Sequence, residues 1–230
     1  MRLEAIWRYP IKSMAGERLE SAALGPFGVP GDRTAYVVDE RGAIVSARTR
    51  AGLLGLHGGV DGHGEPTVDG HAWDSAPALA SAETAAGAGA RLVRADGFER
   101  FDILPLLVAT DGAVREAGID TRRLRPNLVI GGVEGLIERT WEGRFLRIGD
   151  AVIGLATLRE RCIVTTYEPD TLEQDVGVLL DLRRRFAGSL ALNAWTARSA
   201  TVRVGDAVEL LDAYEAPELP GLGRFVAAAA

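Results

Sequence analysis

One cysteine, one lysine and three histidines are all that 230 residues provide of the side chains most often recruited as soft metal ligands or Schiff-base amines. With Cys162 alone, the chain can form no internal disulfide, and no zinc or iron-sulfur site can be built from several of its thiolates. Long apolar runs are missing too. The strongest, residues 103–109, is too short to cross a bilayer and carries Pro105, so it predicts a buried strand or the approach to one. The opening Met1-Arg2-Leu3-Glu4-Ala5-Ile6-Trp7 mixes charge with apolar residues and lacks the continuous apolar stretch of a signal peptide. A soluble, cytoplasmic protein with no membrane partner is expected. A basic surplus is also absent. The net charge of −6 and pI of 5.2 deny the chain a general positive field, so nucleic acid is not an expected partner and any anion site must be local.

What is present is a chain 47% hydrophobic, enough for one sizeable core or two small ones. All but one of its 26 Lys and Arg residues are arginines. Lys12 therefore stands out as the single compact, three-donor ammonium. Short strands dominate the pattern. Arg147-Ile148-Gly149-Asp150-Ala151-Val152 and Arg203-Val204-Gly205-Asp206-Ala207-Val208 repeat a Gly-Asp between apolar runs, and each predicts a hairpin. A third hairpin is expected around Asp39-Glu40-Arg41-Gly42, with further strands at 3–7, 106–109 and 127–130. The expected fold class is α+β, mostly β, with antiparallel strands in a barrel or sandwich.

Helices are predicted over 78–89, over 111–117 with Thr110 and Gly118 as caps, and over 171–186, where Val176, Leu179, Leu180 and Phe186 recur at helical spacing. The Arg183-Arg184-Arg185 run complements the C-terminus of the last helix and reads as a solvated face. Residues 55–70 read as a flexible glycine-rich loop, in which His57 and His63, with His71 just beyond, have no metal-ligand spacing. Hairpin-rich sequence gives way near residue 80 to the alanine-rich helix. This suggests an N-terminal β-barrel subdomain at 1–80, a core domain at 81–212 and a tail at 213–230.

Cys162 carries the chemistry. It follows an apolar strand and is flanked by Arg159 and Arg161, whose charges favour a metal-ligating thiolate. Three other segments place cations at strand ends: Tyr9-Pro10-Ile11-Lys12-Ser13, Gly31-Asp32-Arg33 and Leu124-Arg125-Pro126-Asn127, where Pro126 predicts an extended Arg125. Converging arginine forks and one lysine would suit a phosphate or a nucleotide-like tail.

These segments, with Trp141, Leu146-Arg147-Ile148-Gly149-Asp150, Arg161-Cys162, Thr165-Thr166, Pro169-Asp170 and Val204-Gly205-Asp206, resemble in order the MOSC family. That family is named for the C-terminal domain of molybdenum cofactor sulfurases and includes the amidoxime-reducing components and their bacterial relatives. The resemblance runs over residues 1–212. It implies a β-barrel-rich fold whose N-terminal subdomain packs on the MOSC core, with a pterin-molybdenum cofactor between them. By position, Cys162 resembles the molybdenum ligand. Lys12, Ser13, Arg33 and Arg125 resemble the residues holding the pterin and its phosphate, with Asn127 and Arg161 as companions. Asp102 resembles an acidic residue near the metal and would relay a proton. Ile103, Leu104 and Arg139 depart from the residue types common in the family.

The implied activity is reduction of N-hydroxylated or N-oxide compounds. The sequence holds no ferredoxin-like cysteine cluster, so electrons are expected from a separate flavin, iron-sulfur or haem protein. The alternative is a non-catalytic carrier of the cofactor or of sulfur. A third reading is a barrel that has lost its cofactor, with Cys162 merely packed.

Overall fold

The computed structural model describes residues 1–95 and 97–214. In chain order these form β1 (Arg2–Arg8), β2 (Glu17–Leu19), β3 (Ser21–Leu24), β4 (Ala35–Val38), β5 (Ile44–Val45), β6 (Gly58–Val60), β7 (Pro66–Val68), β8 (His71–Ala72), α1 (Ala76–Ala86), β9 (Arg91–Arg94) and β10 (Leu106–Thr110). There follow α2 (Asp111–Ala117), β11 (Leu128–Gly131), β12 (Phe145–Ile148), β13 (Ala151–Glu160), α3 (Val176–Phe186), β14 (Ser189–Arg198), β15 (Ala200–Arg203) and β16 (Val208–Leu211). The fold is α+β and mostly β, as the sequence predicts. Apart from Ala213 and Tyr214, the expected tail lies outside the described residues.

One sheet of eight strands, in the order β16-β12-β13-β14-β10-β11-β1-β2, forms the frame. At its centre β10 reads Leu106-Leu107-Val108-Ala109-Thr110 and is buried along its whole length. Side-chain alternation explains why. Leu106 and Val108 enter a core with Leu3, Ile6, Leu128, Ile130, Ile153 and Leu192. Leu107 and Ala109 enter a second core, on the opposite face, built with Ala113, Leu182 and Phe186 of the helices. A third core joins Ile11, Met14, Val37, Leu53, Val68, Ala78 and Ala82 from the N-terminal half. No strand pairing among the described residues closes the sheet into a barrel. A single antiparallel bridge, Arg2 to Ala207, brings the start of β1 against the approach to β16.

Several local expectations hold. Ile148 pairs with Ala151 across Gly149-Asp150, and Val38 pairs with Ile44 across the turn at Asp39, whose Oδ1 accepts from Arg41 N at 2.9 Å and Ala43 N at 2.8 Å. The Thr110 side chain caps α2 by accepting from Ala113 N at 3.2 Å, and left-handed Gly118 ends it.

Others are corrected. Gly205-Asp206 joins no hairpin, because β15 pairs with β3 while β16 pairs with β12. The backbone of that turn is captured by β1 instead, with Leu3 N donating to Asp206 O at 2.9 Å and Gly205 N to Leu3 O at 2.8 Å. The sheet is not wholly antiparallel, since β10 and β11 run parallel, joined through α2 as a crossover. The glycine-rich stretch expected to be a loop folds as the meander β6-β7-β8, which leaves all three histidines exposed. Helix α1 begins two residues earlier than predicted, after Ser75 and with proline in its first turn, and stops before Gly87. Helix α3 begins at Val176 rather than at 171, because the Asp175 side chain accepts from Gly177 N at 2.8 Å as an N-cap and Leu172 is left-handed.

Candidate functional site

Beside Leu106 of the first core and Leu107 and Leu124 of the second, a cavity of about 240 Å³ opens. All eight residues singled out in the sequence line it: Lys12, Ser13, Arg33, Asp102, Arg125, Asn127, Arg161 and Cys162. Six cations, Lys12, Arg33, Arg48, Arg125, Arg159 and Arg161, face two carboxylates, Asp102 and Glu160. The positive field absent from the surface as a whole is concentrated here.

Local backbone geometry sets these side chains. Of seven non-glycine residues in the left-handed region among the described residues, three line the cavity: Ser13 at φ 74°, Arg33 at φ 51° and Arg125 at φ 56°. Such residues persist only where surrounding contacts over-determine them. Ser13 Oγ accepts from Ala47 N at 3.0 Å. Arg33 N donates to Tyr9 O at 2.8 Å, while its guanidinium pairs with the fully buried Asp32. Arg125 is not extended, despite Pro126. It caps the 3-10 turn Thr121–Leu124, donating from its N–H to Arg122 O at 3.0 Å, and this hydrogen bond outweighs the steric preference that proline imposes. Its guanidinium lies 4.3 Å from the centre of the Tyr9 ring and has no ion-pair partner among the described residues.

Asn127 is committed to the fold. Its Oδ1 accepts from Leu107 N at 3.1 Å and its Nδ2 donates to Trp7 O at 3.3 Å, tying β1, β10 and β11 at the cavity floor. Arg161 donates to Leu124 O at 2.8 Å, while its Nε is buried without a partner. Burial pulls both the Arg125 and Arg161 guanidiniums down to about 10, which still leaves them charged near neutrality.

Cys162 stands at the end of β13, where it starts the 3-10 turn Ile163–Thr166. Thr165 donates to its carbonyl from both N, at 3.0 Å, and Oγ1, at 2.8 Å, which fixes the backbone beneath the thiol. Arg48 lines the same cavity.

Asp102 is the charge hub. Its carboxylate meets Lys12 Nζ at 2.8 Å, Arg159 Nη2 at 3.0 Å and Arg48 Nη2 at 3.1 Å. Burial alone would raise its pKa, but these cations, Lys12 foremost, outweigh burial and hold the carboxyl at about 2. It is ionised near neutrality, and it holds three cations at the cavity.

Sequence reasoning missed Arg48, Asn193 and, as a site residue, Arg159. Arg159 extends from β13 to Asn193 Oδ1 at 3.4 Å, and Asn193 in turn donates to Thr157 O at 3.2 Å. Ile103 and Leu104 do line the cavity. Arg139 does not line it, and donates to Ser189 O at 2.9 Å.

Comparison with known proteins agrees with this architecture. Residues 1–65 match the MOSC N-terminal beta barrel domain and residues 107–209 match the MOSC domain. Over 76 residues the chain is 34% identical to the human mitochondrial amidoxime reducing component 2, a stretch covering 30% of this chain and 22% of that relative. The solved structure of the YUAD protein from Bacillus subtilis shares the fold at 13% identity, with a TM-score of 0.51 over 93% of this chain and 96% of that one. With the N-terminal and the core domain both matched, this chain belongs to the MOSC family.

Proposed function

We propose that this protein holds a pterin-molybdenum cofactor in the cavity and is an oxidoreductase acting on N-hydroxylated or N-oxide compounds, with electrons from a separate flavin, iron-sulfur or haem protein. One observation carries the reading: a single free thiol and six cations converge on one cavity in a chain that is otherwise acidic. The donor set fits such a group. A soft thiolate suits molybdenum, guanidinium forks and an ammonium suit a phosphate, and the free Arg161 Nε and ion-pair-free Arg125 leave donors for an anion. The human relative's name gives an amidoxime as what it reduces, and an amidoxime is an N-hydroxylated compound.

In this reading Cys162 ligates the metal. Lys12, Ser13, Arg33 and Arg125 hold the pterin and phosphate, beside Asn127 and Arg161. When bound, the cofactor supplies two-electron reducing chemistry. The chain supplies the rest. Asp102 keeps Lys12 and Arg159 directed at the cavity, Thr165 fixes the Cys162 backbone, and Leu104, Leu106, Leu107 and Leu124 belong to the apolar part of the lining.

Molybdenum content measured by mass spectrometry on protein from a cofactor-producing host tests this. The wild type should carry near-stoichiometric metal, and Cys162→Ser should lose most of it. A folded wild type without metal would sink the proposal. Metal without reduction of an N-hydroxylated compound by a chemical electron donor would instead indicate a carrier.

A further inference from the structure

The mouth of the cavity differs in character from its floor. Ile44 and Ile103 are 51% and 40% exposed, yet both line the cavity, although a cavity shaped only for an anion has no need of large apolar side chains. Beside them, Arg48 has a side chain 52% exposed, whereas Lys12 and Arg159, the other cations on Asp102, are 16% and 18% exposed. One carboxylate cannot neutralise three cations. Arg48 is the solvent-facing member of the cluster, so it can turn to a ligand while Lys12 and Arg159 keep Asp102 paired. It also lines the same cavity as Cys162, so what it holds is held within that cavity.

The geometry points to a substrate class: compounds with an apolar body, packed on Ile44 and Ile103, that carry a carboxylate or similar oxyanion held by Arg48. This rests on the reading of the cavity as a reductase site and specifies which N-hydroxylated compounds it takes. A partly desolvated guanidinium-carboxylate pair contributes selectivity on the order of tenfold, or about 1.4 kcal/mol. Ile44 and Ile103 contribute affinity that does not depend on the charge of the ligand.

The test uses the metal-loaded protein and two probes that cannot be reduced at nitrogen, 4-carbamoylbenzoate and benzamide, with binding followed by calorimetry. The carboxylate probe should bind the wild type about tenfold more tightly than benzamide. Arg48→Ala should abolish that preference, and Ile103→Ser should weaken both probes alike. Equal binding of the two probes to the wild type, failure of both to bind, or a preference that survives Arg48→Ala would overturn the assignment. In parallel, reduction of N-hydroxybenzamide and its 4-carboxy derivative is measured with a chemical electron donor. If the 4-carboxy probe is preferred while neither compound is reduced, the binding assignment stands and the reductase reading falls.

Discussion

At the scale of single residues, Asp102 decides how the cavity tolerates its own charge. Its carboxylate is the nearest anion to three of six cations, and its removal leaves Lys12, Arg48 and Arg159 repelling one another. Because its folded pKa of about 2 lies below the unfolded value, it contributes stability that is present above pH about 4 and is lost as pH falls through about 2. Asp102→Asn should therefore lower the melting temperature at pH 7 by roughly 3 °C, a figure discounted for solvent screening. The gap to wild type should close as pH drops from about 4 toward 2. A gap constant across that window, read by calorimetry, would mean that the carboxylate's charge is not what stabilises. Cys162 with its flanking arginines could be found in the sequence because the charges that distinguish it sit one and three positions away. Arg48 could not. Its neighbours, Ala47, Thr49 and Arg50, look like any solvated turn, and only the fold carries Arg48 into one cavity with Cys162.

At the scale of elements, α3 shows where periodicity misleads. Val176, Leu179, Leu180 and Phe186 fit a helical repeat in the sequence, yet the buried stripe is Leu179, Leu182 and Phe186, while Val176 and Leu180 are exposed. A period of 3.6 residues admits both stripes, and the core beneath, not the repeat, selects one. Leu182→Ala should cost about 3 kcal/mol in chemical denaturation, and Leu180→Ala should stay within about 0.5 kcal/mol of wild type. Comparable losses at both positions would contradict the packing described. The two Gly-Asp repeats teach the same lesson for strands. The turn chemistry was legible in both, but the partners of β15 and β16 lie far along the chain, and pairing at such separations leaves no local signature.

At the scale of the whole molecule, the cavity is walled by segments from Lys12 to Asn193, with Leu106 from one core and Leu107 and Leu124 from another. A ligand bound there braces these cores against one another, and binding to the folded state alone raises stability by mass action. Protein made in a host lacking the cofactor should melt several degrees below the loaded form, and Cys162→Ser should melt near the unloaded one. Equal melting of loaded and unloaded wild type would place the cofactor elsewhere. The mostly β class was readable because it rests on local strand patterns, whereas the gathering of the cations into one site was implied by the resemblance to the MOSC family. The way the cores meet was not, because it depends on which face of β10 each partner takes.

The position of β1 carries a consequence for biogenesis. Its outer neighbour β2 follows within a few residues, but the inner edge pairs with β11, and the hydrogen bond from Asn127 back to Trp7 spans 120 residues. While the ribosome makes the intervening chain, that edge stands bare, a template for pairing with a neighbouring nascent chain. Assembly of the sheet, and with it the floor of the cavity at Asn127, therefore has to wait for translation to pass the middle of the protein.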